Sequence, residues 1–413
     1  MSGIDRRSFM MQAAGGIAGM ALLSELALAD PPVSSDPIRT AVIGMGQQGR
    51  AILGELAKLQ AVKVVALCDA DERRLGAAQR RSPDAAVYAS HEALLENARE
   101  FDAVIIATPT HEHVAPARAC IEAGKHVYLE APIAHTIDDA KAIAAAARDA
   151  KGVFAVGLLA RSNPIYKLAR TFFRSDAVRD VVALRAQNFR KTSWRVPASD
   201  ADRERAFNWR LDPDLSLGLE GEWGVHQYDV FQWYSTRYPS IIRGAGSIRL
   251  HNDGRRVDDT VHVQLGMSDK SYIDYQASLA SSFGGRYEVL HGTNATIKLA
   301  WTHGWMFKEA DAPTQGWEVY ANRQQYFNDE GITLIADATK LASQGKLKEG
   351  IGLPNDSLYY GLEDFYRSII ENQPPVCTAD EGMRATVVAI LAHRAVVKGL
   401  PVTVRDEDLA GLG

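Results

Sequence analysis

Apolar and polar positions follow two different patterns along the chain, and the change falls near residue 153. Before it, short and largely apolar runs such as residues 38–43, 62–67 and 103–107 are separated by segments with helical spacing. Continuous apolar runs are typical of strands buried on both faces, and strands that alternate with helices predict a parallel sheet. We therefore expect an α/β Rossmann domain over residues 36–155.

From residue 153 onward, longer segments alternate between apolar and polar positions. Alternation indicates strands with one buried face, as in antiparallel sheets. We predict an α+β domain with a large, mostly antiparallel sheet over residues 156–355. C-terminal helices over residues 356–413 are expected to pack back on the core. The predicted strands are residues 181–189, 241–250, 260–267, 271–278 and 286–291.

Gly44, Gly46 and Gly49 form a G-x-G-x-x-G motif directly after the first predicted strand, and Asp69 ends the next strand 20 positions after Gly49. Such glycines allow a tight turn and a close approach of the backbone to a pyrophosphate, which sits on the following helix N-terminus. The combination of strand, motif and acidic residue predicts a dinucleotide site. The alternative is a glycine-rich turn that binds nothing.

The cofactor predicted from these residues is NAD. The carboxylate of Asp69 can accept hydrogen bonds from both adenosine ribose hydroxyls and disfavours a 2′-phosphate, whereas Arg73 and Arg74 keep NADP open as an alternative. Two later strands also end at the crevice where doubly wound sheets bind ligands. For His111, a solvent-exposed loop histidine is the alternative. The residues predicted to contact the cofactor are Gly44, Met45, Gly46, Gln47, Gln48, Gly49, Asp69, Thr108, Pro109, His111, His113, Glu130, Ala131 and Pro132.

The first 29 residues have the pattern of an export signal. Arg6 and Arg7 form a twin-arginine pair, residues 13–23 are small and apolar, and Ala27 to Ala29 offer a cleavage site. Twin-arginine signals export folded proteins, which suits a protein that must be loaded with its cofactor beforehand. We predict a twin-arginine signal peptide over residues 1–29 and a periplasmic or extracellular protein. The alternative is an uncleaved tail with an accidental arginine pair.

Composition excludes some classes of function but says less about the activity than the motifs do. The net charge is −5 with mixed signs, so no basic field for nucleic acid is expected. The three cysteines are too few for a disulfide framework and are expected to be buried free thiols. No metal-ligand spacing occurs in the sequence, and no membrane span is expected in the mature chain.

Four segments together resemble the Gfo/Idh/MocA oxidoreductases over nearly the whole mature chain. The resemblance implies a Rossmann domain, a large antiparallel sheet, a carbohydrate substrate and a homo-oligomer. It does not imply one particular sugar. The four segments are residues 41–46, 107–113, 123–132 and 222–229.

The last segment carries candidate catalytic residues. Glu222, His226 and Asp229 are spaced i, i+4 and i+7, so on one helix they would share a face. A carboxylate and an imidazole at that spacing can act as an acid/base pair. The resemblance implies that His226 supports proton transfer at the sugar hydroxyl and that Glu222, where aspartate is more common, assists. The alternative is a salt-bridge cluster with His226 in the core.

Ala131 stands where the resembling family has a lysine, in Glu-Ala-Pro rather than Glu-Lys-Pro. That lysine polarises or deprotonates the reacting hydroxyl, and alanine can do neither. His226 is the best candidate for a substitute base, and Tyr166 and Lys191 are weaker ones. The further residues predicted to contact substrate are Arg161, Trp194 and Trp223, with a surface arginine and core tryptophans as the alternatives.

Three functions remain open from the sequence. The first is an NAD-dependent sugar oxidoreductase with a tightly held cofactor. The second is a glycoside hydrolase that uses NAD transiently, through oxidation at C3, elimination of the aglycone, addition of water and reduction of the ketone. The third is a periplasmic sugar-binding protein without catalysis.

Overall fold

The computed structural model describes two compact units. The signal-peptide prediction for residues 1–29 lies outside the described residues. The larger unit comprises Pro31–Ser162, Ala186–Gly285 and Leu358–Gly413, and the smaller comprises Asn163–Arg185 and Arg286–Ser357. The residues described are 31–32, 34, 36–175, 177–314, 323–326, 329–335 and 352–412.

A six-stranded sheet in the larger unit has the strand order β3-β2-β1-β4-β5-β6, and its paired strands are parallel. The order reverses between β1 and β4, and in doubly wound sheets ligands bind outside the carboxyl ends of the strands at such a switch point. Every residue of β4 is buried, as its continuous apolar sequence requires. The prediction of a Rossmann domain is confirmed. Its strands are β1 Ile38–Ile43, β2 Val62–Cys68, β3 Ala86–Tyr88, β4 Ala103–Ile106, β5 His126–Leu129 and β6 Phe154–Val156.

The second sheet is large and mostly antiparallel, with ten strands among the described residues, so this prediction is also confirmed. Within the larger unit its strand order is β10-β9-β8-β16, and within the smaller unit it is β14-β15-β13-β12-β11. Buried and more exposed positions alternate in β12, as expected for a strand with one buried face. The strands are β7 Val181–Phe189, β8 Ile241–Ser247, β9 Thr260–Gly266, β10 Tyr272–Ser278, β11 Arg286–Gly292, β12 Ala295–Leu299, β13 Gly304–Lys308, β14 Arg323–Tyr326, β15 Asp329–Thr333 and β16 Val402–Thr403.

The longest described helix, α11, braces the larger unit. It begins with a capping box between Thr378 and Glu381, ends at Gly399 in the left-handed conformation, and contacts α5, α8, α9 and β8. Thr386 accepts a hydrogen bond of 3.1 Å from the amide of Ile133, just after β5. The helices are α1 Gln47–Leu56, α2 Glu72–Gln79, α3 His91–Leu95, α4 Val114–Glu122, α5 Ile137–Arg148, α6 Pro164–Arg174, α7 Ala201–Phe207, α8 Gly218–Glu222, α9 Gly224–Ser235, α10 Ser357–Ile370, α11 Ala379–Lys398 and α12 Asp406–Leu409.

Two predicted elements are shorter in the structure. The sequence predicts a helix over residues 91–99, but α3 ends at Leu95, and the side chain of Asn97 donates to the carbonyl of Ala93. The strand expected over residues 241–250 ends at Ser247. Beyond it, three successive amides donate to the carboxylate of Asp259 at 2.8 to 2.9 Å, so they are not available to a neighbouring strand.

The glycine motif forms the turn between β1 and α1. Gly44 has a φ of +95°, and a Cβ atom there would lie 2.6 Å from the backbone of Ala107. A Cβ atom at Gly49 would lie 1.8 Å from the carbonyl oxygen of Gly44. A Cβ atom on Gly46 would meet only the tip of Arg74, at 4.0 Å. The first and third glycines are therefore required by the packing of the turn, while the second leaves the backbone open on one side.

The turn yields a test with an internal control. Gly49→Ala should unfold the turn or lower the free energy of unfolding by several kcal/mol, because the added methyl group overlaps a backbone carbonyl. Gly54→Ala, on the exposed side of the same helix with open space around it, should instead stabilise the protein by about 1 kcal/mol. Urea denaturation of both variants measures the difference. Equal effects of the two substitutions would contradict this account of the turn.

Candidate active site

Asp69 holds the glycine turn in place. Its carboxylate accepts hydrogen bonds from the amide of Met45 at 2.6 Å and from the amide of Asp71 at 2.8 Å. The predicted ribose contact must therefore use the remaining lone pairs of the same carboxylate. The end of β2 thus positions the loop that follows β1.

The turn and the neighbouring strand ends fit a dinucleotide. No side chain caps the N-terminus of α1, so its first amide groups remain available to an anion. The hydroxyl of Thr108, after β4, is buried and has no hydrogen-bond partner among the described residues. An open glycine face, uncapped amides and an unsatisfied hydroxyl at the switch point are the features that a bound pyrophosphate and nicotinamide would satisfy.

Glu130 lies at the carboxyl end of β5 and is buried. Its carboxylate accepts a hydrogen bond of 3.1 Å from the side chain of Gln48, in the first turn of α1. Burial raises the pKa of Glu130 to about 7, and the hydrogen bond from Gln48 opposes this shift. The predicted cofactor residues Gln48 and Glu130 are thus brought together, next to Ala131 and Pro132, which are joined by a cis peptide bond.

His113 braces the two loops rather than facing the crevice. Its ring is buried between the carbonyl oxygens of Pro132 and Thr108, at 2.9 and 3.0 Å from its two nitrogens. Burial lowers its pKa to about 4, so the ring is neutral near neutral pH and donates to one carbonyl at a time. The structure therefore differs from the prediction of a cofactor contact, because both ring nitrogens face protein backbone.

Glu222 and Thr110 connect the Rossmann domain with α8. The hydroxyl of Thr110 donates to the carboxylate of Glu222 at 2.9 Å, and the amide of Leu217 donates to the other oxygen at 3.2 Å. Burial raises the pKa of Glu222, and the positive charge of Arg210 is the foremost opposing influence. The predicted catalytic carboxylate therefore lies beside the strand ends that border the cofactor crevice.

Glu222 and His226 do not share one continuous helix, contrary to the prediction. Helix α8 ends at Glu222 and α9 begins at Gly224, with Trp223 between them at φ −98° and ψ −38°. Glycines on either side of Trp223 leave room for this break. His226 lies in the first turn of α9 and is half-buried.

Aromatic rings surround this region. Trp194 and Trp223 meet edge to face with centroids 5.3 Å apart, and the ring of His111 lies 5.6 Å from Trp209. His135, five residues after Glu130, packs edge to face against His111 at 6.1 Å. Sequence reasoning missed His135 and Arg210, because neither belongs to a motif and only the folding of three distant segments brings them together.

Three residues predicted at the site are engaged elsewhere. Asp229 and Arg161 form a buried bidentate ion pair at 2.9 Å, and Arg161 also bonds Glu381. We therefore correct both predictions, since their charged groups bind each other. Tyr166 lies fully buried in the smaller unit and donates its hydroxyl to Glu288, so it is not an accessible base.

Lys191 is exposed, and its backbone amide donates to the hydroxyl of Ser282 at 2.9 Å.

Helix α7, which the sequence did not reveal as part of the site, lies next to the end of β2. Arg203 pairs with Asp71 at 2.8 Å, and the guanidinium of Arg74 lies 3.7 Å from the ring centroid of Phe207. Both contacts join α7 to the segment that follows Asp69.

Two family models match the chain. One, described as an oxidoreductase family with an NAD-binding Rossmann fold, matches residues 38–158, and the other, its C-terminal alpha/beta domain, matches residues 187–404. The chain belongs to the Gfo/Idh/MocA oxidoreductase family. Its first domain is an NAD-binding Rossmann domain, as predicted from the glycine motif and Asp69.

Individual relatives of the family agree with this assignment. Inositol 2-dehydrogenase 1 of Saccharopolyspora erythraea is 28% identical over 91% of this chain and 98% of its own. A glycosyl hydrolase family 109 protein of Shewanella sp. (strain ANA-3) is 30% identical over 34% of this chain and 36% of its own. Levoglucosan dehydrogenase in complex with NADH and levoglucosan has a similar fold, with a TM-score of 0.70 at 18% identity over 89% of this chain and 99% of that one.

Within the described residues, no group of histidine, cysteine and acidic side chains could hold a metal ion. None of the described helices is long and apolar enough to cross a membrane. All three cysteines are buried free thiols, as predicted.

The buried carboxyl of Glu130 predicts a pH-dependent stability. Its pKa is raised from 4.5 to about 7, so the folded protein retains a proton that the unfolded chain loses. Its favourable contribution is complete below pH 4.5 and is lost as the pH rises through 7. As the pH rises from 5 to 8, the free energy of unfolding of Glu130→Gln should therefore increase relative to that of the unaltered protein, by about 3 kcal/mol at most.

Urea unfolding of the cofactor-free protein at both pH values measures this gain. Glu72→Gln, at an exposed position of α2, serves as the control and should give no such pH-dependent gain. A stability difference for Glu130→Gln that is the same at both pH values would contradict the assignment.

Proposed function

We propose that the protein is an NAD-dependent oxidoreductase that acts on a sugar or sugar derivative and keeps its cofactor bound between turnovers. The observation that carries this proposal is the Thr110–Glu222 hydrogen bond at the strand ends, beside Arg210 and several tryptophans. Aromatic faces stack on the apolar faces of sugar rings, and charged groups orient their hydroxyls. The similarity to inositol and levoglucosan dehydrogenases supports a carbohydrate substrate.

The contacts of α7 support a retained cofactor. The Arg203–Asp71 ion pair and the packing of Phe207 on Arg74 join this helix to the segment after Asp69, where the adenosine ribose is expected. We propose that this ion pair and ring contact hold α7 over the adenosine end and slow the release of the cofactor. Retention suits a protein that works outside the cytoplasm, and we propose export by the twin-arginine route on the pattern of residues 1–29.

We propose His226 as the group that accepts the hydroxyl proton. NAD, when bound, supplies the acceptor for the hydride that leaves the same carbon. Ala131 has no group that can take this proton, whereas a neutral imidazole can. Glu222, whose two oxygens are held by Thr110 and Leu217, fixes the start of the segment that carries His226.

The second candidate function is glycoside cleavage with the same cofactor. Oxidation at C3 would acidify the C2 proton, the aglycone would leave by elimination, and water would add before the ketone is reduced again. The similarity to a glycosyl hydrolase family 109 protein over a third of the chain favours this candidate, and so does the replacement of lysine by Ala131. A cofactor restored at each turnover would need no supply.

Retention can be measured directly. The protein purified without added nucleotide and then denatured should release about one NAD(H) per chain, because opening of the Arg203–Asp71 pair limits its loss. Arg203→Gln should lower this ratio after prolonged dialysis, while Arg205→Gln, at an exposed position of the same helix, should not. Absence of NAD in the purified protein, with no binding of added NAD or NADP, would contradict both enzymatic functions and favour a sugar-binding protein without catalysis.

The proposed base can be tested in the same preparation. His226→Asn should lower the rate of sugar-dependent reduction of bound NAD about 10²- to 10⁴-fold, since a general base typically contributes that much. Bound NAD should remain near one per chain, and nicotinamide fluorescence follows both quantities. His262→Gln, at an exposed position of β9, is the control. An unchanged rate for His226→Asn would remove this residue from the proposed mechanism.

A further inference from the structure

Arg210 is a half-buried cation that forms no ion pair with a carboxylate of the described residues. Its guanidinium carbon lies 4.4 Å from the ring centroid of Trp209 and 5.9 Å from that of Trp194. No hydrogen-bond acceptor and no carboxylate within ion-pair distance engages the guanidinium among the described residues. Two aromatic rings therefore flank a guanidinium whose five N–H donors have no partner among the described residues.

The acidic group that acts on this charge, Glu222, attracts Arg210 without forming an ion pair with it. Its two oxygens accept hydrogen bonds from the hydroxyl of Thr110 and the amide of Leu217 instead. Burial favours its protonated form by raising its pKa, and burial likewise lowers the pKa of Arg210. A cation that has lost part of its hydration and has no paired anion is costly unless a ligand supplies one.

Two imidazole nitrogens in the same region also lack a partner, and each can donate to a ligand in the tautomer that carries its proton there. Nδ1 of His111 and Nδ1 of His135 are both buried, and neither has a hydrogen-bond partner in the described part of the chain. Glu112, at 3.7 Å, is near only the other nitrogen of His111. His111 lies between His135 and Trp209, the ring that also contacts Arg210. Trp209 thus contacts both Arg210 and His111, and His111 in turn contacts His135.

We propose that Arg210, with His111 and His135, forms a carboxylate-binding subsite, so that the substrate is a sugar acid such as a uronic or aldonic acid. The inference rests on the proposed sugar oxidoreductase function and specifies its substrate class. A carboxylate accepts two parallel hydrogen bonds from a guanidinium and neutralises one charge with one charge. A phosphate, with a charge of about −1.5 to −2 at neutral pH, would exceed the single positive charge of Arg210. Neutral sugar hydroxyls would leave the charge of Arg210 uncompensated.

The test compares matched ligands on the protein with its cofactor bound. Calorimetry measures the binding of D-glucuronate and D-galacturonate, their methyl esters, D-gluconate, D-glucose and D-glucose 6-phosphate. At least one acid should bind about 10- to 100-fold more tightly than its neutral counterpart, as expected for charge-assisted hydrogen bonds. Arg210→Gln should remove this preference of acid over neutral counterpart, while Arg210→Lys should restore part of it.

Arg249→Gln, at an exposed position, makes the same change of charge and should leave the preference intact. Equal affinity for acid and ester, preference for the phosphate, or an acid preference that survives Arg210→Gln would each overturn the subsite. Loss of bound NAD in Arg210→Gln with unchanged sugar selectivity would overturn it too, by assigning the guanidinium to the cofactor. If neutral sugars reduce the bound NAD and acids do not bind, the proposed function stands and this inference fails. If no sugar of either kind reduces it, both fail.

Discussion

The close approach of Gly49 to the carbonyl of Gly44 is the constraint on which the NAD-binding half of this molecule depends. Only a residue without a side chain permits that distance, and only then can α1 begin directly at the end of β1. The hydrogen bond from Met45 to Asp69 then ties the turn to β2. Backbone packing of this kind leaves no tolerance for a methyl group, because the neighbouring atoms belong to the main chain.

The strand ends around this turn are connected by polar groups that burial makes effective. His113 lies between two loop carbonyls, and Thr110 donates to Glu222, so that residues far apart in the chain are held at hydrogen-bond distance. Each bond is strong because water is excluded, and each unsatisfied group is costly for the same reason. Because of this cost, the buried polar atoms of Thr108, His111 and His135 that lack a partner among the described residues are candidates for contacts with a ligand.

Ala131, at the position where the family has a lysine, also affects the charge of the site. A lysine there would add a positive charge at the carboxyl end of β5, four residues before His135, and alanine adds none. The cation of the proposed carboxylate subsite is then Arg210, whose planar guanidinium is suited to a planar anion.

The Rossmann domain, its NAD-binding turn and the second, mostly antiparallel sheet can all be predicted from the sequence. These features depend on local periods of apolar residues and on glycines whose requirement is steric, and both can be read along the chain. The sequence also predicted a role for Glu222, because the segment resembles the family, but it placed Glu222 and His226 on one helix, which Trp223 interrupts. A break between two short helices depends on what packs against them, not on propensity alone.

Which charged side chains pair with each other depends instead on the fold. Asp229 and Arg161 looked like site residues and proved to be each other's partners, whereas Arg210 attracted no notice in the sequence and has no ionic partner in the described structure. His135 joined the site only when the chain after β5 folded beside Trp209 and His111. Electrostatic pairing acts through space between residues such as Arg161 and Asp229, which are 68 positions apart, and no local pattern along the chain encodes it.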